Sequence, residues 1–179
     1  MKDILTPPKN GQLMVVSCHM AVDYEMRILF DKMITSELTK DDKLVIFFQT
    51  DGGSCSQVHP IRQIIKYLDD LTNLHIINAG LVASAGVPIF LAAKNRYAQD
   101  GTTFMLHKAR LALGDRSLTS EELTVSLKDF ELEEKDIDRI EAEGVRLTKR
   151  EKVLYNGGHD VVLTKKQARR AKLINRRIT

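Results

Sequence analysis

The sequence predicts an α/β domain built on a mostly parallel sheet. Three apolar runs, at residues 13–17, 44–48 and 74–79, have the length and composition of buried strands. Segments with apolar residues at helical intervals lie between them. Strands that alternate with helices imply right-handed crossovers, and these crossovers place neighbouring strands parallel.

The helices between the strands are read from their apolar spacing. Residues 21–38 and 55–71 each form one such segment, and residues 84–94 are expected to form a shorter helix before a strand at residues 103–107. In the second segment the apolar side chains recur every three or four residues, at Val58, Ile61, Ile65 and Leu68.

The length of 179 residues fits a single domain. We expect a head of about residues 1–117 and 156–179, with a long helix of about residues 118–155 that projects from it. The long helix is charged and carries a narrow apolar stripe, which is typical of a helix that packs against a partner or a second copy. Residues 164–179 are expected to form a short basic helix followed by a strand.

Composition indicates a globular protein: 43% of the residues are hydrophobic and 28% are charged. The two cysteines, Cys18 and Cys55, stand in unlike contexts and are too few for a disulfide framework, which favours a reducing, cytoplasmic location. We find no apolar run near the roughly 20 residues that span a bilayer, and no secretory leader. The sequence therefore predicts no membrane association.

Charge is distributed unevenly along the chain, although the net charge is only +3. Residues 121–143 hold ten acids, whereas residues 164–179 are rich in lysine and arginine and hold none. These patches could pair within one molecule or between copies. No aromatic residue interrupts the basic segment, so base stacking is not supported and nucleic-acid binding is not expected.

The residue most informative about chemistry is Ser84, in the segment Gly-Leu-Val-Ala-Ser-Ala-Gly of residues 80–86. It follows a predicted strand and precedes a predicted helix, where free main-chain N–H groups favour a developing negative charge. A nucleophile would be useful there. The alternative is that Ser84 only caps the helix, because serine is a preferred N-cap.

A serine nucleophile requires a base, and His107 at a predicted strand end can supply one. The other four histidines show no metal-ligand spacing, and for each of the five a structural role remains the alternative. Gly52 and Gly53 follow the central strand and could let a substrate carbonyl approach main-chain donors. Their alternative is a plain turn between strand and helix. Cys55, at a helix start, could be reactive or simply an inert core thiol.

In this order, the glycine pair, the serine turn and the Met-Leu-His-Lys segment resemble the Clp protease proteolytic subunit family, most closely over residues 40–110. The resemblance implies a ClpP/crotonase-like fold of repeated β-α units, with Ser84 as nucleophile and His107 as general base. It also implies an oxyanion hole formed by the N–H groups of Gly53 and Ala85. The chain departs from the family after the histidine, where Lys108 and Ala109 replace the usual Gln-Pro.

The resemblance also implies a third catalytic residue, an aspartate before a Leu-Thr-x-x-Gln-Ala motif, and Asp160 fits that position. Its role would be to hold the imidazole tautomer and stabilise the imidazolium. His159 is its immediate neighbour. Substrate would lie extended along Gly52 and Gly53 and along residues 109–113.

The implied function is a serine endopeptidase acting on peptides or unfolded proteins within a homo-oligomer, either a heptameric ring or two stacked rings. We expect no cofactor and no metal. The chain lacks the G-x-x-x-x-G-K-[ST] segment of nucleotide-binding loops, so an ATP-dependent unfoldase would be a separate partner. Two alternatives remain: a crotonase-like acyl-CoA enzyme and a catalytically silent assembly subunit.

Overall fold

The computed structural model describes Met1, residues 3–111 and residues 117–178. Residues 112–116 therefore lie outside the described residues, together with part of the expected substrate-binding segment at 109–113. The ordered elements alternate between strands and helices along the chain. They are β1 (Leu13–His19), α1 (Tyr24–Ile34), β2 (Lys43–Thr50), α2 (Val58–Leu71), β3 (Asn73–Ala83), α3 (Gly86–Phe90), β4 (Asn95–Ala98), β5 (Thr103–Leu106), α4 (Ser120–Gly144), α5 (Lys149–Asn156), β6 (Val161–Thr164) and α6 (Lys165–Arg170).

The sheet follows the order β1-β2-β3-β5-β6, and β4 also pairs with β3. Every pairing is parallel except that of β5 with β6. Strand β3 is long enough for β4 to pair with its first half and β5 with its second half. The prediction of a mostly parallel α/β sheet is confirmed.

The core lies where the amphipathic helices cover the sheet. The α2 side chains that were predicted to face inward, Val58, Ile61, Ile65 and Leu68, are all buried. They pack in one cluster with Leu44, Ile46 and Phe48 of β2. Each such side chain contributes about 1.5–3 kcal/mol when it leaves water, so the helical spacing places α2 on the sheet.

The long charged segment is two helices rather than one. Helix α4 ends at Gly144, where a Cβ would lie 2.8 Å from a methyl carbon of Leu91, and buried Val145 then packs into the core. Thr148 begins α5 with a capping box, in which its side chain accepts from the Glu151 N–H and the Glu151 carboxylate accepts from the Thr148 N–H. Predicting a single helix over about 118–155 was therefore wrong.

Two short strands, β4 and β6, were not predicted from the sequence. In the described part of the C-terminal segment, a short helix forms at α6 as predicted, but no strand follows it. Within the described residues of this segment, Lys165 forms an ion pair with Asp100 and Arg170 forms one with Glu151, and neither pairs with the acidic helix α4. No helix within the described ranges is long and apolar enough to cross a membrane.

Candidate active site

Ser84 occupies a strained turn between β3 and α3. Its φ of 52° is in the left-handed region, which costs a non-glycine residue about 1–3 kcal/mol. The neighbouring strand fixes this conformation, because the Ser84 N–H donates to the Met105 carbonyl at 2.8 Å. Strain of this kind persists only where the surroundings enforce it, and it is concentrated at functional sites.

The Ser84 hydroxyl does not cap the helix that follows. The N-cap of α3 is Ala85, and it makes no side-chain capping bond. Among the described residues, no hydrogen bond involves the Ser84 hydroxyl at all. The capping alternative therefore finds no support, and the half-buried hydroxyl is left available at the end of the strand.

Gly52 and Gly53 form a tight loop at the end of β2. The Val22 N–H donates to the Gly52 carbonyl at 2.8 Å, and the Ser54 N–H donates to the Val22 carbonyl at 2.7 Å. Gly53 has a φ of +151°, and a Cβ there would lie 2.3 Å from the Val22 carbonyl oxygen. Only glycine fits this position.

The glycine loop touches the serine turn. A Cβ on Gly52 would lie 2.6 Å from the Ser84 Cβ and 3.1 Å from its Oγ. Within the described ranges, neither the Gly53 N–H nor the Ala85 N–H donates a hydrogen bond. The two main-chain donors expected to form an oxyanion hole are thus free and lie in segments that meet at Ser84.

His107 lies directly after β5, the strand that pairs with the end of β3. Its ring is half-buried, and its Nδ1 lies 2.7 Å from the Lys108 carbonyl oxygen. The sheet therefore brings Ser84 and His107 to the ends of adjacent strands. In the described part of the chain, however, no hydrogen bond joins the Ser84 hydroxyl to the His107 ring.

Asp160 immediately precedes β6, which pairs with β5 in antiparallel register. The last pair is Leu106 with Val161, so one further step of the same register sets Asp160 opposite His107. The Asp160 carboxylate nevertheless accepts a hydrogen bond from Arg110 Nη2 at 3.1 Å, and both side chains are exposed. The structure brings Asp160 to the same sheet edge as His107 without joining the two side chains.

The thiol of Cys55 is half-buried close to the glycine loop. Burial, and then the carboxylates of Glu133 and Glu134, raise its pKa, so the thiol keeps its proton. Burial raises the pKa of Cys18 to about 12. Both observations favour the inert alternative for the cysteines, because the thiolate is the reactive form. We find no group of histidine, cysteine and carboxylate side chains able to hold a metal among the described residues.

Sequence reasoning missed a polar cluster behind His107. We call Lys108, Asp138, Glu141 and Tyr155 the carboxyl–tyrosine cluster. The Tyr155 hydroxyl lies 2.8 Å from both Asp138 Oδ1 and Glu141 Oε2, and the Lys108 ammonium bonds to Asp138. Burial raises the pKa of Glu141 to about 7. One signal in the sequence indicates that Glu141 is buried: it lies four residues after Ile137 and therefore on the same inward-facing side of α4.

Together the parallel sheet and the serine turn define an α/β chain of crotonase-like fold with a candidate hydrolytic site. The chain belongs to the Clp protease family, whose model, described as Clp protease, matches residues 13–179. The resemblance inferred from the motifs is confirmed.

Comparison with individual proteins gives the same result as the family model. Over 72 residues the chain is 29% identical to the "ATP-dependent Clp protease proteolytic subunit 2" of Gluconobacter oxydans (strain 621H), a match that covers 39% of this chain and 32% of that relative. The aligned region therefore spans about a third of the relative's length. A solved mutant of ClpP1 from Listeria monocytogenes is similar with a TM-score of 0.72 at 22% identity, over 92% of this chain and 90% of that chain. That likeness shows the fold.

Proposed function

We propose that this chain is a serine endopeptidase that hydrolyses peptides or unfolded polypeptides. One observation carries the proposal: an unbonded serine hydroxyl in a strained turn lies against a glycine loop, and a histidine follows the neighbouring strand. Family membership supports the same chemistry. None of these residues requires a metal or a cofactor for the reaction.

The reaction proceeds through an acyl-enzyme. Ser84 Oγ attacks the peptide carbonyl while His107 Nε2 accepts the hydroxyl proton. The carbonyl oxygen becomes an oxyanion and accepts hydrogen bonds from the Gly53 and Ala85 N–H groups. His107 then gives its proton to the leaving amine, the C–N bond breaks, and water hydrolyses the ester by the same path in reverse.

We assign Asp160 the electrostatic role in this mechanism. Its position opposite His107 in the β5–β6 register would let a carboxylate stabilise the imidazolium. Arg110 neutralises part of that charge in the single chain. Displacement of Arg110, by substrate or by a neighbouring copy, would make the full charge available.

We also propose that the active form is a ring-shaped homo-oligomer, heptameric and single or stacked, fed by a separate ATP-dependent unfoldase. Helix α4 supports an assembly role, because large apolar side chains are exposed on two sides of its first half: Leu123 and Leu127 on one side, and Val125 and Leu132 on the other. Apolar side chains exposed along one helix favour burial against another protein surface. Light scattering of the full chain tests this part, and a strictly monomeric protein would contradict it.

A catalytically silent subunit is the second candidate. It is favoured by one observation: the hydrogen bonds of an assembled Ser-His-Asp triad are not formed, because His107 bonds to Lys108 and Asp160 bonds to Arg110. Such a subunit would form rings without hydrolysing unstructured casein. An acyl-CoA enzyme of crotonase type would instead bind acyl-CoA and would not react with a serine-directed probe.

Labelling with a fluorophosphonate probe, read by mass spectrometry, tests the mechanism. We expect label on Ser84 in the unaltered protein, loss of label in Ser84→Ala, and strongly slowed labelling in His107→Ala. Ser56→Ala, at an exposed serine near the same loop, is the matched control and keeps the label. Label that persists in Ser84→Ala would defeat the proposal.

A further inference from the structure

The hydrogen bond of His107 fixes its tautomer. A carbonyl oxygen can only accept, so the Nδ1 atom that lies 2.7 Å from the Lys108 carbonyl must carry the proton. Nε2 is then the unprotonated nitrogen and is free to act as a base. In an assembled triad a carboxylate performs this orienting task. Here a main-chain carbonyl performs it.

Lys108, which carries this carbonyl, contacts α4 and α5 through its side chain. The Lys108 ammonium bonds to the Asp138 carboxylate of α4 and lies 5.0 Å from the ring centre of Tyr155 in α5. These contacts restrain the side chain of Lys108 and with it the peptide group that accepts from His107. The orientation of the imidazole therefore depends on the carboxyl–tyrosine cluster.

Proton counting shows that one carboxyl group of the cluster is protonated. The Tyr155 hydroxyl has one proton but lies 2.8 Å from an oxygen of Asp138 and 2.8 Å from an oxygen of Glu141. It can donate to only one of them, so the other must bring its own proton. Burial and the nearby carboxylates raise the pKa of Tyr155, so the phenol remains neutral.

Glu141 is the carboxyl group that brings this proton. Asp138 is paired with Lys108, whereas Glu141 is only 5% exposed and forms no ion pair with a cationic side chain among the described residues. Burial raises its pKa to about 7 even though the Tyr155 hydrogen bond lowers it, and Asp138 adds to the rise while Lys108 opposes it. The protonated Glu141 carboxyl therefore donates a hydrogen bond to the Tyr155 hydroxyl oxygen, and the Tyr155 hydroxyl donates to the Asp138 carboxylate.

The titratable groups around Glu141 come from three segments. Lys108 reaches it from the end of β5, Asp138 from α4 itself, and Tyr155 and Lys152 from α5. All of them line a cavity of about 300 Å³ between these segments. Lys152 is exposed and makes no bond to Glu141, so the Tyr155 hydroxyl is the polar contact of the buried carboxyl.

We propose that the Lys108 carbonyl orients His107, and that Glu141, Tyr155 and Asp138 are positioning residues that hold this carbonyl while Glu141 keeps its proton. Ionisation of Glu141 places two carboxylates on one hydroxyl, so either Glu141 or Asp138 loses its hydrogen bond to Tyr155 and the cluster that contacts Lys108 is disturbed. This inference rests on the proposed serine mechanism for its effect on rate. Its structural part, the proton on Glu141, does not.

The rate test compares Glu141→Gln with the unaltered protein across pH, using kcat for an unstructured peptide. Glutamine keeps a neutral donor, so the ratio of the two rates should stay near one at about pH 6 and reach about tenfold at about pH 8, where a group titrating near 7 is mostly ionised. Using the ratio cancels every pH effect that the two proteins share. Glu143→Gln, an exposed change on the same helix, should give a flat ratio.

A second pair of variants separates the two candidate orienters. Asp160→Asn should lower kcat by no more than about tenfold, because the tautomer is held elsewhere, whereas in an aspartate-oriented triad this change costs about 10⁴. Tyr155→Phe should lower kcat by more than Asp160→Asn does, with KM nearly unchanged. A loss near 10⁴ in Asp160→Asn, or a flat Glu141→Gln ratio, overturns the proposal.

Infrared difference spectroscopy decides the structural part without activity. The carbonyl stretch of a protonated carboxylic acid should appear at about pH 6, fade through pH 7 to 8, and be missing in Glu141→Gln. An absent band at pH 6 refutes the protonated cluster.

If fluorophosphonate fails to label Ser84 while the band is present, the peptidase mechanism fails and the cluster stands. Nitrogen NMR of His107 would then test the orienting role, and an Nε2–H tautomer would overturn it.

Discussion

The two halves of the candidate site are built in different ways. The nucleophile half, Ser84 with Gly52 and Gly53, is fixed by main-chain hydrogen bonds of 2.7–2.8 Å and by contacts too close for any added side chain. The base half, His107 with Asp160, depends on side chains: Arg110 holds Asp160, and Lys108 bonds to Asp138. Backbone geometry is preformed in one chain, whereas the exposed Arg110–Asp160 pair can be exchanged at little cost.

This contrast has a functional consequence. Catalysis requires donors in place before charge develops, and the nucleophile half meets that condition in the single chain. The base half can change partners, because substrate or a neighbouring copy can compete for Arg110. We therefore expect any control of activity to act on the histidine side of the site.

The largest effect is expected in the nucleophile half. Gly53→Ala should lower kcat/KM by about 10²–10³, because a Cβ would push the loop away from Val22 and move an oxyanion donor. The same strain should lower the free energy of unfolding by about 1–3 kcal/mol. Peptide hydrolysis and urea unfolding measure the two effects.

Gly101→Ala is the control for this prediction. Gly101 also has a positive φ, +77°, but a Cβ there would meet nothing within 4 Å. Its substitution carries the conformational cost without the clash, so activity should be retained. Equal losses of activity in both variants would show that the glycine loop has no special place in the site.

The next effect lies behind the base half and concerns stability. Glu141 has its pKa raised from 4.5 to about 7 in the folded protein, so the folded state binds more protons than the unfolded state between these values. The free energy of unfolding should therefore fall as pH rises from 4.5 to 7, by about 3 kcal/mol. Urea unfolding at several pH values measures this dependence.

Glu141→Gln isolates this dependence because glutamine does not titrate. The difference in unfolding free energy between the two proteins should change across the interval and be constant below pH 4.5, where Glu141 is protonated in both states. A difference that is constant from pH 4.5 to 8 would show that Glu141 titrates normally and that the cluster holds no extra proton.

The smallest effect is expected at the exposed ion pair. Arg110→Gln frees Asp160 to stabilise the imidazolium, so kcat should rise by about two- to fivefold, the size of an exposed pair's interaction. Added salt should reduce the difference between variant and unaltered protein. Lys165→Gln, which removes a second surface pair with Asp100, should leave kcat unchanged. A fall in kcat for Arg110→Gln would assign Arg110 a supporting role instead.

The amino-acid sequence determined the features that depend on local periodicity and on single special residues. The apolar runs predicted β1, β2 and β3, the spacing in α2 predicted its buried face, and the Ser84 turn lies where small residues separate a strand from a helix. These signals are local because consecutive residues determine the length of a strand and the apolar face of a helix.

Tertiary structure alone decided the partners of the polar groups. In the sequence Glu141 is one of several acids in the charged helix. Packing against α5 is what buries it beside Tyr155. The sequence predicts that Asp160 is the partner of His107, whereas in the structure its carboxylate accepts a hydrogen bond from Arg110. Hydrogen bonds and pKa values depend on what approaches from distant segments, and the register of β5 with β6 sets that approach.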